Sequence, residues 1–264
     1  MPGMDAPTTS WVQGGAGRLR VEATGHGRTP VVLVHGNGGD RTHWVATVPH
    51  LARVRRTVCF DLRGMGESDP PSDGSFTLEA MVGDVVRVAD ALGLGQFVLI
   101  GHSYGGSVVA AACGTIPERL AGALFLDSGG DLRSIPPAEL EAWRAAMGPE
   151  RFAATVRSWF SGLLAAATPE TRMRVMGTLE RTPREVYVPV MEGMLAFDPR
   201  TAISRYPGPK AIVAARMLDG PLSLQQAVPE LPCEFIDGVS HWLQLDRPEA
   251  VNAALDRFLV SVPG

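Results

Sequence analysis

The chain has 264 residues, a formal net charge of −4 and no basic tract. Its length suits one large α/β domain carrying an insertion, with enough chain to bury a sizeable core. The charge balance argues against nucleic acid and anionic membrane surfaces as partners.

Residues 1–10 are rich in Pro, Thr and Asp and are expected to be loose. Trp11 to Thr24 holds two strand-like pieces around Gly14-Gly15-Ala16-Gly17, which predicts a hairpin. Val31-Val32-Leu33-Val34 is a continuous apolar run, as expected for a strand buried on both faces of a parallel sheet. It ends in His35-Gly36-Asn37-Gly38-Gly39, and a helix is expected over Arg41 to Leu51, capped by Asp40. Thr57-Val58-Cys59-Phe60 is a second buried strand, followed by a turn-rich loop through Pro71. Leu78, Val82, Val85, Ala89 and Leu92 recur at helical spacing, so a one-faced helix should end near Gly93. Phe97 to Ile100 reads as a strand, Ser107 to Ala112 as helix, and Leu120 to Leu126 as the next strand. Alternating strands and helices imply a mostly parallel, doubly wound sheet with helices on both faces.

That alternation stops at Asp131. Pro136 to Met147, Glu150 to Leu164, Glu170 to Leu179 and Arg184 to Phe197 all read as helices. We therefore expect a core of residues 1–130 and 207–264, interrupted by a helical lid at 131–206. The lid carries Trp143, Phe152, Trp159, Phe160, Met173, Met176, Met191, Met194 and Phe197. Most should pack helix on helix, and a few should line a cavity beneath. The sheet resumes at Lys210 to Ala215, with a short helix near Leu222 to Val228 and a last strand at Cys233 to Ile236. Asp246, Pro248 and Glu249 have the spacing of a capping box at the start of the final helix.

The chemistry centres on Gly101-His102-Ser103-Tyr104-Gly105-Gly106. A strand, a sharp turn and a helix place a serine at an apex, where its side chain packs into neither element. Glycines fit at 101 and 105 because the two backbones come too close there for a Cβ. This is the G-x-S-x-G elbow in its expected context. A serine hydroxyl needs a base in reach and an acid to orient that base. Of the six histidines, His241 follows the last strand and so shares the sheet edge with Ser103. Two aspartates suit the acid's place in chain order. Asp219 follows the strand ending at Ala215 and is the first choice; Asp127 follows the preceding strand and is the second. The amides of Asn37, in the Gly-rich loop, and Tyr104, at a helix start, are candidate donors to a developing oxyanion. Trp242 is expected to help shape an apolar acyl pocket.

Val31-Val32-Leu33-Val34-His35-Gly36, Asp61-x-Arg63-Gly64-x-Gly66-x-Ser68, the Ser103 elbow and Ser240-His241-Trp242 together resemble the α/β-hydrolase superfamily, in its lid-bearing serine esterase-like branch. The resemblance spreads over nearly all of the chain outside the lid. It implies Ser103 as nucleophile, His241 as base and Asn37 as oxyanion donor, with the Asp61–Ser68 loop in a supporting part. The chain departs from the family at Ala215-Arg216-Met217-Leu218-Asp219, one residue longer than usual and without the usual glycine. Some members place the acid one strand earlier, which here is Asp127.

The resulting expectation is a serine hydrolase for carboxylic esters or lactones. Carbon–carbon bond hydrolysis, acyl transfer, hydroxynitrile lysis and cofactor-free perhydrolysis on the same residues are the alternatives, as is a binding protein on a hydrolase scaffold. The substrate should be a small molecule with an apolar part; no cofactor, metal, nucleic acid or membrane partner is expected, and homo-oligomerisation stays open. Cys59, Cys113 and Cys233 are odd in number and set in apolar surroundings. With no recognisable signal peptide in Met1 to Gly17, they suggest a reducing, cytoplasmic setting.

Overall fold

A computed structural model describes residues 7–263. The expectation for residues 1–6 lies outside the described residues. Residues 8–10 are not loose, because β1 (Thr8–Gln13) pairs antiparallel with β2 (Arg18–Thr24), forming the expected hairpin. β3 (Arg28–Val34) follows. The expected single helix after it is two pieces, a 3₁₀ turn at Arg41–Trp44 and α1 (Thr47–Leu51). Asp40 caps the first piece, accepting from the Thr42 amide at 2.9 Å. Then come β4 (Arg55–Phe60), α2 (Leu78–Ala91), β5 (Phe97–His102), α3 (Tyr104–Thr115) and β6 (Leu120–Leu126).

Between β6 and β7 the regular elements are helical: α4 (Pro137–Ala146), α5 (Phe152–Leu163), α6 (Pro169–Leu179), α7 (Arg184–Leu195) and the short α8 (Pro199–Ser204), which sequence reading had missed. β7 (Lys210–Ala215), α9 (Leu224–Ala227), β8 (Cys233–Ile236), α10 (Leu243–Asp246) and α11 (Pro248–Val260) complete the chain. The sheet order is β1-β2-β4-β3-β5-β6-β7-β8. β1 and β2 are antiparallel at one edge, and the other six strands are parallel.

Alternate strand residues sort to opposite faces, as the period of two requires. Val32, Val34, Phe60, Leu99 and Phe125 join one buried cluster with α2 and α3. Val31, Leu33, Cys59, Ile100 and Leu124 join another with α1 and α11. The central strands are therefore buried on both faces, which is why they read as unbroken apolar runs. Their parallel direction brings the carboxyl ends of β3, β5, β6, β7 and β8 to one edge. A third cluster joins α5, α6 and α7 to Trp242. Among the described residues no helix is long and apolar enough to cross a membrane.

The loop after β4 is pinned by buried charge. Arg63 donates to both carboxylate oxygens of Asp84 on α2, at 2.6 and 2.8 Å, and to the carbonyls of Ser75 and Ala80. Asp84 also accepts from the Gly15 amide, which ties in the β1–β2 turn. Asp61 accepts from Arg41 and from the Glu67 amide. Neither Asp61 nor Arg63 lines the cavity onto which Ser103 opens. The Arg63 and Asp84 side chains are 5% and 1% exposed. Removing one partner strands the other's charge in the interior, so Asp84→Ala should cost about 3–5 kcal/mol in urea unfolding.

Candidate active site

Ser103 sits between β5 and α3 with φ 54°, ψ −119°. A left-handed φ is strained for a residue with a Cβ, and here it turns the serine side chain out at the elbow. The neighbouring glycines are required by close approach: a Cβ on Gly101 would strike the Gly105 carbonyl, and one on Gly105 would strike the Val34 carbonyl. The Ser103 amide donates to the Leu126 carbonyl at 2.9 Å, which anchors the elbow to the end of β6.

Ser103 opens onto a cavity of about 390 Å³ that His241, Asp127, Asn37, Tyr104 and Trp242 also line. His241 Nδ1 donates to Asp127 Oδ2 at 2.6 Å. Asp127 Oδ1 accepts from the Ala215 amide at the end of β7, at 2.8 Å. One carboxylate therefore spans a strand end and the histidine. The bond fixes the His241 tautomer, leaving the Nε2 lone pair free to take a proton. Asp127 too has a positive φ, of 46°.

Asp219, the first choice from sequence, does not reach His241. It is exposed, and Gln225 and Gln226 donate to it at 3.1 and 3.0 Å. Those bonds, that of Gln226 foremost, hold its carboxyl below the usual carboxylate range. The physical reason is direction: the 3₁₀ turn at Arg216–Leu218 carries the chain away before Asp219 is reached. The histidine's partner is the second choice, Asp127.

Asn37 and Tyr104 line the same cavity as Ser103. Tyr104 is the first residue of α3, where amides have no intrahelical acceptor and the dipole favours negative charge. Asn37 is held from above, its Nδ2 donating to the Tyr187 carbonyl on α7 at 3.1 Å. Trp242 is 3% exposed and packs against Phe160 at 5.3 Å between ring centroids. Of the apolar insertion residues noted from sequence, Trp159, Phe160, Met191 and Met194 line the cavity. Met173 is 73% exposed instead.

Sequence reasoning missed the braces on His241. His102, the residue before Ser103, donates from Nε2 to the His241 carbonyl at 2.9 Å. The His241 amide donates to the Leu163 carbonyl at the end of α5, at 3.1 Å. A carbonyl partner leaves no signal in residue type. Among the described residues no group of three or more His, Cys, Asp or Glu is placed to hold a metal ion.

Three further histidine rings are buried around this edge. His35 donates from Nδ1 to the Gly36 carbonyl and accepts the Leu62 amide. His43 meets Thr178 Oγ1 of α6 at 3.0 Å, and His102 braces His241. Loss of solvation lowers the pKa of all three below the ordinary 6.5. The folded chain keeps them neutral where the unfolded chain binds protons. Their contribution is therefore complete above pH 6.5 and is lost as the pH falls below it. Each can lower stability by about 1.4 kcal/mol per pH unit in that window. Urea midpoints should fall from pH 7.5 to 5, and His43→Gln should make the fall shallower.

The sequence pattern described as alpha/beta hydrolase fold matches residues 29–194, more than half of the chain. The chain is 27% identical over 249 residues to the dihydrolipoyllysine-residue acetyltransferase component of an acetoin cleaving system from Pseudomonas putida, covering 90% of this chain and 65% of that protein. It is 34% identical over 104 residues to a 2-hydroxymuconate semialdehyde hydrolase from Pseudomonas sp. (strain CF600), covering 38% and 37%. The chain thus matches less than two thirds of these relatives' lengths. An esterase from Thermogutta terrifontis superposes with a TM-score of 0.81 at 24% identity, covering 96% of this chain and 98% of that one, a likeness of fold. With its mostly parallel eight-stranded sheet and its serine elbow, the chain belongs to the alpha/beta hydrolase fold family.

Proposed function

We propose that the protein is a serine hydrolase acting on uncharged carboxylic esters or lactones through an acyl-enzyme on Ser103. The observation that carries this reading is one cavity lined by Ser103 at a strained elbow and by a His241 ring whose Nδ1 is tied to Asp127. Ser103 Oγ attacks the substrate carbonyl carbon while His241 Nε2 takes the hydroxyl proton. The oxyanion of the tetrahedral intermediate is met by the Asn37 and Tyr104 amides, each such donor being worth about 3 kcal/mol. The intermediate collapses, and His241 gives its proton to the departing alcohol. Water then attacks the acyl group, losing a proton to His241, and the acid leaves as Ser103 regains its hydrogen. Asp127 orients the imidazole and stabilises its cationic form without being protonated.

The insertion acts as a lid in this reading. Trp159, Phe160, Met191 and Met194 supply an apolar wall that methionine can adapt to different acyl chains.

The lining also bears on charge. No Arg or Lys is among the residues lining the cavity, and Asp127 is their only carboxylate. A substrate carboxylate buried there would have no cation to pair with, a cost of several kcal/mol. This favours neutral esters and lactones over substrates bearing a free acid. Cleavage of a carbon–carbon bond beside a ketone would use the same serine and histidine, and product analysis on a panel of neutral ketones separates it from ester hydrolysis.

With p-nitrophenyl butyrate as substrate, Ser103→Ala should lower kcat/KM by at least about 1,000-fold. Unchanged turnover in that variant would refute the reading. Asp127→Asn should lower kcat by about 1,000- to 10,000-fold, because the amide cannot hold the required tautomer. Asp219→Asn should stay within about twofold of wild type, as expected of an exposed residue away from the chemistry. Dimethyl succinate should be cleaved with a kcat/KM about 100-fold or more above that of monomethyl succinate, the penalty for an unpaired buried charge.

A further inference from the structure

Asp246 stands where sequence spacing expects a cap for the final helix, but it does not cap that helix. The residue at the N-cap of α11 is Arg247, with no side-chain hydrogen bond to the helix. The Asp246 carboxylate is turned the other way. Its Oδ2 accepts from the Ser240 amide at 2.8 Å and from Ser240 Oγ at 2.5 Å. Its Oδ1 accepts from the Thr168 amide at 3.0 Å, in the link between α5 and α6.

Both partners bear on the histidine. Ser240 is fully buried and immediately precedes His241, and its Oγ accepts the Trp242 amide at 3.2 Å. Thr168 lies five residues after Leu163, whose carbonyl accepts the His241 amide. Residues 163–168 of the insertion and 240–246 of the core thus form a clamp with Asp246 at one end. No strand pairing holds His241, which lies between β8 and α10. Its backbone depends on this clamp and on the His102 bond.

We propose that Asp246 is a positioning residue for His241 and couples the base to the seating of the helical insertion. The proposal rests on the serine hydrolase reading above. An ionised carboxylate receiving three donors forms stronger bonds than neutral acceptors do. It restrains the residue before the histidine and, through Ser240, the residue after it. The imidazole must present Nε2 to Ser103 within narrow limits, and a shift of about 1 Å can cost about 100-fold in rate. An asparagine at 246 cannot replace the carboxylate, because its Nδ2 would face a donor.

The test compares Asp246→Ala and Asp246→Asn with Asp198→Ala. Asp198 caps α8 in the insertion and has no bond to the histidine loop. Turnover of p-nitrophenyl butyrate, its pH profile, thermal midpoint and the downfield proton resonance of His241 Nδ1–H are read on each full-length protein. The Asp246 variants should lose about 10- to 100-fold in kcat with KM within about twofold, and the resonance should move or broaden. Asp198→Ala should lower only the thermal midpoint. A folded Asp246 variant with wild-type kcat and an unmoved resonance overturns the proposal, as does an equal loss of kcat in Asp198→Ala. If Asp246→Ala does not fold, Asp246→Asn decides by the same criteria. If the wild-type protein cleaves no ester, the hydrolase reading fails, while the resonance in the Asp246 variants still decides whether this carboxylate positions His241.

Discussion

The carboxylate of Asp127 is the point on which the site depends. It joins the end of β7, through the Ala215 amide, to the ring of His241 beyond β8. That single group converts the register of a parallel sheet into the orientation of an imidazole. The register is itself secured by strands buried on both faces, where a slip would misplace every side chain. Ser103 takes its bearing from the end of β6, since its amide bonds the carbonyl of Leu126, the residue before Asp127. Ser103 and Asp127 are therefore set by adjacent strands, and their separation does not rely on a flexible loop. Both carry a left-handed backbone, so strain is stored at two positions where side-chain direction matters.

The histidine has less support from the sheet and more from the helices between β6 and β7. Leu163 holds its amide, and His102 holds its carbonyl. On the opposite wall α7 holds the Asn37 side chain through the Tyr187 carbonyl. The same helices that form an apolar wall thus bond both the His241 backbone and the Asn37 side chain.

The fold was largely legible in the sequence. Buried parallel strands leave unbroken apolar runs, and turns leave glycines, so β3, β4, β5, β6 and β7 could be read directly. Gly101 and Gly105 marked the elbow because only glycine tolerates that approach. His241 could be read from its place after the last strand. The carboxylate that bonds His241 could not be read with the same security, because Asp127 and Asp219 each follow a strand in good turn chemistry. What separates them is the path of the backbone after the strand. A positive φ turns Asp127 inward, and a 3₁₀ turn carries Asp219 out to its glutamines. Asp246 was misread for the same reason: the local pattern of a cap is satisfied, but distant donors in Ser240 and Thr168 claim the carboxylate. Contacts to backbone carbonyls, such as that of Leu163, leave no trace in residue type.

The most direct measurement is rapid quenching of the protein with p-nitrophenyl butyrate, followed by peptide mass mapping of the trapped species. A covalent route through the elbow requires a butyryl adduct on Ser103, formed in the time of the nitrophenol burst and lost at the rate of turnover. An adduct on any other residue, or steady turnover with Ser103 unmodified throughout, would contradict it.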